Sequence, residues 1–212
     1  MKIRCSGNNF VQINDCGELI YEKIYQILKE IIVKENFPKK IIFFDFFCGV
    51  GSLSILIKKK LFEEENFYDK IEILGVDRKE SILDAKFNLQ TNFSSISTNQ
   101  NKNENEKLIE INFLDFDLMN NHNLSSFFPP FLENFPFKII FVNPGRSGLT
   151  RSTCFSILEM DFDYLFFVSC KQNSFFDNCL ILYEKYEFHQ FCLIDNFPQT
   201  INYESITVLK KK

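Results

Sequence analysis

Two side chains stand where the apolar pattern around them gives no reason for them. The run "YLFFVSC" closes on the thiol of Cys170 and then turns polar, and the run "YESITVL" carries the carboxylate of Glu204 near its start. A thiol at the tip of a buried strand is either a small core residue or a nucleophile held at the mouth of a site. A carboxylate among apolar strand residues has to be paired, exposed or functional. Further acids sit in or at the end of earlier apolar runs: Asp45 in "IIFFDFF", Asp77 in "IEILGVD" and Asp115 in "LIEINFLD". Asp45 leads into "CGVGS", where Gly49 and Gly51 would let the main chain come close to a ligand.

These groups can meet only if their strands end on one side of one sheet, so the elements between them matter. "CGELIYEKIYQILKEIIVKE" has helical spacing, with Leu19, Ile20, Ile24, Ile27, Leu28 and Ile31 on its apolar face. Apolar runs at "KKIIFFDFF", "KIEILGVD", "LIEINFLD", "KIIFVN" and "YLFFVSC" then alternate with helices or long connections. Near-continuous apolar strands alternating with helices describe a parallel sheet covered on both faces. The last two strands, "EFHQFCLID" and "YESITVLKK", follow each other without a helix, so the final one is expected to enter antiparallel. The expectation is an α/β fold, Rossmann-like and seven-stranded, of the S-adenosylmethionine-dependent methyltransferase type: mostly parallel, with an antiparallel last strand. One domain is expected over residues 1–212, interrupted by a disordered polar insertion, "SSISTNQNKNENEK", at about 94–107.

Ligands of open α/β sheets bind beyond the carboxyl ends of the strands. There Asp77 would accept from the hydroxyls of a ribose, and Asp115 would meet an adenine amino group. The glycine turn carries only a G-x-G, with Ser54 at the third fingerprint position, so no dinucleotide phosphate cradle is complete. An adenosine-bearing ligand without that cradle fits S-adenosylmethionine better than NAD. At the fourth strand end, Asn143-Pro144 resembles the corner with which amino-methyltransferases hold an exocyclic amine, but Arg146 replaces the aromatic platform.

Composition narrows the function classes. The chain has 212 residues, enough for a full core, and a net charge of −4, so it is not coated in basic charge. The candidate basic patches are Lys58 to Lys60 and Lys210 to Lys212, whose plainer reading is a solvated helix end and tail. Seven cysteines without CxxC spacing argue against a disulfide scaffold or a zinc site and for reduced thiols inside a cell, the cytoplasm being the expected place. No run has the length of a membrane span and the N-terminus has no signal-peptide core, so no membrane partner is expected.

In order along the chain, several segments resemble one family. "NNFVQIN" is similar to an F-x-Q-x-N entry with Phe10, Gln12 and Asn14, and "DFFCGVGSLSILI" to a D-L-F-C-G-x-G-x-x-S/T-L loop. "NPGRSGL" resembles D-P-P-R-x-G-L, "FVSCKQNSFFDN" resembles Y-V-S-C-N-P-x-T-L-A-R-D, and "DNFPQTINYESITVL" resembles D-x-F-P-Q-T-x-H-V-E-T-V-x-L. These are motifs of the RNA uracil-C5 methyltransferases, the tRNA and ribosomal-RNA 5-methyluridine synthases, in their catalytic domain. The resemblance implies methylation of C5 of a uridine in RNA, in the T-loop of tRNA by family analogy, with S-adenosyl-L-methionine as donor. It aligns Cys170 with the catalytic nucleophile and Glu204 with the general base. It aligns Gln12, Asp45, Gly49, Gly51, Asp77 and Asp115 with the cofactor side, and Asn143 and Arg146 with the substrate side. RNA is the implied partner, DNA is not, and no metal is expected.

Departures from the family pattern cluster on the substrate side. Asn143 stands for Asp, Gly145 for Pro, Lys171-Gln172 for Asn-Pro, Asp177 for Arg and Asn202 for His. The family's N-terminal RNA-binding region is expected to be missing, so a protein partner could supply RNA affinity. Two other readings stay open on the sequence: an N-methyltransferase using the Asn143-Pro144 corner, and a catalytically weakened RNA-binding homologue.

Overall fold

The structure, a computed structural model, describes residues 1–7, 9, 16–35, 40–63, 69–93, 108–120, 124–128, 132 and 134–212. Phe10, Gln12, Asn14 and the expected insertion at 94–107 lie outside the described residues.

Helix α1 (Cys16–Lys34) leads into β1 (Lys40–Phe46), α2 (Ser52–Glu63), β2 (Lys70–Asp77), α3 (Lys79–Phe93) and β3 (Leu108–Asp115). A short α4 (Leu124–Phe127) precedes β4 (Phe137–Val142), α5 (Arg151–Met160), β5 (Tyr164–Ser169) and α6 (Gln172–Leu182). The chain closes with β6 (Tyr186–Ile194) and β7 (Glu204–Lys211). One seven-stranded sheet results, in the order β3-β2-β1-β4-β5-β7-β6. Strands β1 to β5 pair in parallel, and β7 slots antiparallel between β5 and β6. This is the sheet expected of the sequence, and the register adds that β6, not β7, forms the edge.

The strands are apolar on both sides because helices cover both sides. On one face Phe43, Ile73, Phe141, Phe166, Ile206 and Val208 pack with α1, α2 and α3. On the other Phe44, Phe46, Leu165, Phe167 and Leu209 pack with α4, α5 and α6, where Phe44 meets Phe128 and Phe162 edge-on. In α1 the buried face runs through Ile20, Ile24, Ile27, Leu28 and Ile31, while Leu19, grouped with them on spacing, is 55% exposed.

The two lysine runs are occupied within the fold. Lys58 donates to the carbonyl of Ile109 and Lys60 pairs with Glu22. Lys210 pairs with Glu35, Lys211 with Asp161, and Lys212 donates to the carbonyl of Tyr183. No helix among the described residues is long and apolar enough to cross a membrane.

The N-terminal residues lie as an extended strap along α3. Lys2, Arg4 and Ser6 bond through their main-chain amides to Asn92, Asn88 and Asp84 at 3.0, 2.7 and 2.6 Å. Every second residue of an extended chain advances about 6.6 Å, and every fourth of a helix about 6 Å, so the two repeats nearly match. Asn88 is fully buried and also donates to the carbonyls of Arg4 and Val50, at 2.9 and 3.0 Å, which joins the strap to the glycine turn after β1. Asn88→Ala would leave these buried groups without partners. The expected outcome is a loss of about 2 kcal/mol in denaturant unfolding and faster amide exchange at Arg4.

Candidate active site

A cleft of about 750 Å³ opens beyond the carboxyl ends of β1, β2, β4 and β5. Its walls include Asp45, Gly49, Asp77, Asn143, Arg146, Cys170 and Glu204, so most of the sequence-derived candidates meet here. Gly51 and Asp115 do not line it, and Gln12 lies outside the described residues.

The cofactor-side end is built by the turn after β1. The amides of Phe47 and Cys48 both reach the carbonyl of Val76, which tethers the turn to β2. Gly49 turns left-handed, at φ 55°, and its amide donates to Asp77 Oδ2 at 2.8 Å. The amide of Arg78 donates to Asp77 Oδ1 at 2.7 Å, so the carboxylate is fixed by main chain and keeps lone pairs for a ligand. Gly51 serves packing instead. It sits at φ 81°, and a Cβ there would come within 2.6 Å of the Phe113 ring.

Asp115 was expected on the cofactor side. It ends β3 opposite Asp77 in the ladder but is exposed and off the cleft. The acid that lines the cleft is Asp117. Beyond the strand the chain turns, and Asp117 accepts from the amides of Met119 and Asn120 at 3.0 and 3.1 Å and from the Asn120 side chain at 2.7 Å. The motif "LDFDL" offers both acids, and pleat alternation stops predicting direction where the strand stops.

Asp45 is buried at the floor of the cleft and accepts from Ser54 Oγ at 2.6 Å. Burial pushes its pKa up to about 7, with the Asp77 charge adding to the effect. The folded protein therefore holds a proton there that an unfolded chain gives up near pH 4. Stability should fall as pH rises from about 4 to about 7 and stay level above. Asp45→Asn keeps an acceptor for Ser54 and removes that slope. Thermal melts should show the variant well above the wild-type protein at pH 8 and close to it at pH 4.

The other end of the cleft holds Cys170 and Glu204. Ser169 pairs with Ser205 in the antiparallel β5–β7 ladder, so the next residues outward, Cys170 and Glu204, stand opposite each other. Opposite residues share a face, with Cβ atoms about 5 Å apart. Burial pushes the Cys170 thiol up, the Glu204 charge pushes it further, and a hydrogen bond and charge from Arg146 act against both. The strand end is braced by serines. Ser205 Oγ donates to the carbonyl of Ser169 at 3.1 Å and accepts from Gln172 at 3.1 Å. Ser169 Oγ accepts from the amide of Lys171 at 3.1 Å.

The helix that follows Cys170 also holds the loop opposite. Asn178 of α6 accepts from the amide of Leu149 and donates to its carbonyl, both at 2.8 Å. Ser174 Oγ donates to the carbonyl of Arg146 at 2.8 Å. A Cβ on Gly148 would lie 2.6 Å from Asn178 Oδ1, so only glycine allows the helix this close. Gly145, where the family motif has proline, sits at φ 70°, which proline cannot adopt.

Tyr21 and Asn9 also line the cleft, though neither was singled out in the sequence. Tyr21, from α1, lines the cleft, and burial with the charges of Asp45 and Glu204 pushes its phenol up to about 12, so it stays neutral. Its place in an apolar helical stripe gives only a packing signal. Asn9, at the end of the strap, bonds Asp84 and Ser81 and also lines the cleft. Among the described residues no cluster suited to a metal ion occurs.

The family model described as tRNA (uracil-5-)-methyltransferase matches residues 7–212. An uncharacterised RNA methyltransferase of Mycoplasma mobile is 26% identical over 210 residues, covering 98% of this chain and 47% of its own length. A tRNA/tmRNA (uracil-C(5))-methyltransferase of Colwellia psychrerythraea is 26% identical over 178 residues, covering 79% of this chain and 42% of its own length. The chain thus spans less than half the length of these relatives. Among solved structures, the Pyrococcus abyssi tRNA (uracil-54, C5)-methyltransferase in complex with S-adenosyl-L-homocysteine superposes with a TM-score of 0.59. It is 20% identical, over 95% of this chain and 40% of the other. That likeness is one of fold.

Proposed function

The chain belongs to the tRNA (uracil-5-)-methyltransferase family, and from that premise we propose that it methylates C5 of a uridine in RNA through a covalent bond from Cys170 to C6. One observation carries the reading: a thiol and a carboxylate stand opposite each other at the end of a cleft whose other end is lined by Asp77, Gly49 and Asp117.

The residues present fit S-adenosylmethionine. Asp77, held by two main-chain amides, would take the ribose hydroxyls, and Asp117 would stand near the adenine. Asp45 and Tyr21 would face the amino-acid end. When bound, the cofactor supplies a methyl group on a sulfonium, which a nucleophile can displace.

C5 of uracil is too weak a nucleophile for that displacement. Cys170 Sγ adds to C6 and makes C5 enolate-like, which is nucleophilic catalysis in the usual sense. Arg146 offsets only part of the burial and the Glu204 charge that disfavour the thiolate. After the methyl is in place, C5 still carries its hydrogen. Glu204 takes that proton, the C5–C6 double bond re-forms, and the thiolate leaves. Nucleophile and base lie on adjacent strands, so neither has to travel between the steps.

The T-loop of tRNA is the proposed target, consistent with the family description. RNA affinity needs phosphate contacts, and most lysines of the two runs are committed to internal bonds. A protein partner that raises this affinity is part of the proposal, and a large excess of RNA replaces it in the test. Incubation of the protein with labelled S-adenosylmethionine and a T-arm hairpin, followed by nucleoside mass spectrometry, should yield 5-methyluridine. Label on a base nitrogen, or none at all, would overturn the assignment.

A further inference from the structure

An enzyme that works on a base must take it out of its stack, and the neighbouring base then loses a partner. The geometry points to Ile201 and Tyr203 as the ledge against which that neighbouring nucleobase packs, an inference that rests on RNA being the substrate.

The segment before β7 alternates. Asn202 and Glu204 line the cleft, while Ile201 and Tyr203 do not and are 95% and 37% exposed. Two more exposed apolar residues lie on the neighbouring strand β6. Leu193 and Phe191 pair with Ser205 and Thr207, the β7 positions that alternate with Glu204 and Ile206, and are 55% and 44% exposed. Isolated exposed apolar residues are ordinary, but here two on β6 and two in the segment that leads into β7 are exposed next to the catalytic candidates.

The turn that presents Ile201 is held by its own bonds. The amide and hydroxyl of Thr200 both donate to the carbonyl of Phe197, at 3.1 and 2.8 Å, and the amide of Asn202 donates to Thr200 Oγ1 at 3.1 Å. Gln199 is held left-handed at φ 70°, a conformation that costs a non-glycine residue free energy. Phe197 and Asn202, on either side of the turn, belong to the cleft wall. A braced turn thus projects an isoleucine into solvent at the rim of the site, where it adds nothing to the core. The class of ligand that gains from a flat apolar and aromatic surface beside a base-sized cleft is a nucleobase, recognised by its face rather than by its hydrogen-bonding edge.

The test compares the wild-type protein with Ile201→Ser, the Ile201→Ser/Tyr203→Ser pair and Ile201→Met. Methylation and fluorescence-anisotropy binding are measured on a T-arm hairpin and on a hairpin whose base next to the target is replaced by an abasic residue. The expected result is a roughly tenfold rise in KM and Kd of the paired variant for the intact hairpin, with little change in kcat. The Met variant should recover, S-adenosylhomocysteine affinity should stay as in the wild type, and the abasic hairpin should not distinguish the proteins. Unchanged KM and Kd in the paired variant would overturn the ledge and leave these apolar residues to a protein partner. If the wild-type protein binds the hairpin without methylating it, the functional reading fails by itself, and the binding comparison decides the ledge.

Discussion

Cys170→Ala is expected to abolish 5-methyluridine formation, by at least about 10⁴-fold in kcat/KM, while S-adenosylhomocysteine still binds with wild-type affinity. The reason is chemical. Without addition to C6 no group on the protein can turn C5 into a nucleophile, so the loss is that of the reaction and not of one contact. Cys170 is half-buried at the end of a strand braced by Ser169 and Ser205, and alanine at 170 removes none of those braces. The fold should persist, which a near-native melting temperature would check. An RNA carrying 5-fluorouridine at the target gives the complementary readout. Fluorine at C5 cannot leave as a proton, so the wild-type protein should form an adduct that survives denaturing electrophoresis, and the alanine variant none. An N-methyltransferase using Asn143-Pro144 would keep its activity in this variant, and a binding homologue would show no product in either protein.

The second large effect belongs to Glu204. Glu204→Gln should let the thiol add and the methyl transfer, then stall. Steady-state turnover should fall by about 10² to 10⁴-fold. Ordinary uridine-containing RNA should now accumulate as a covalent complex whose mass includes the added methyl. This separates Glu204 from Cys170 by the step at which each variant stops. A Gln variant that turns over at the wild-type rate, or that loses turnover without trapping RNA, would remove Glu204 from the role of base. Because the Glu204 charge holds the Cys170 thiol up, the neutral variant should also add its thiol at lower pH than the wild-type protein does.

Much of this site was legible in the sequence, and the illegible part has physical causes. The central strands could be read because they are buried on both faces and therefore apolar along most of their length, and "KIEILGVD" and "LIEINFLD" have their bounds as read. Cys170 and Glu204 could be singled out as polar groups in apolar runs. Their closeness came only from the family resemblance and not from the residues themselves, since it depends on β7 inserting between β5 and β6, and strand order is set by packing of the whole sheet. That Asp117 and not Asp115 lines the cleft could not be read, because direction after a strand end follows the turn. Gly51 was read as a ligand contact, but its reason is the ring of Phe113, brought by a strand distant in sequence. Tyr21 looked like one more member of an apolar stripe, and only the acids facing it mark it as different.

The grip of α6 on the loop that carries Asn143 and Arg146 has a consequence for how such a site can change. Asn178 and Ser174 hold that loop by its carbonyls and one amide, not by its side chains. Residues at 143 and 146 can therefore be exchanged while the loop keeps its station beside the sulfur of Cys170. What the pocket prefers and where the pocket sits are encoded separately, the first in a few replaceable side chains and the second in a helix that never touches the base.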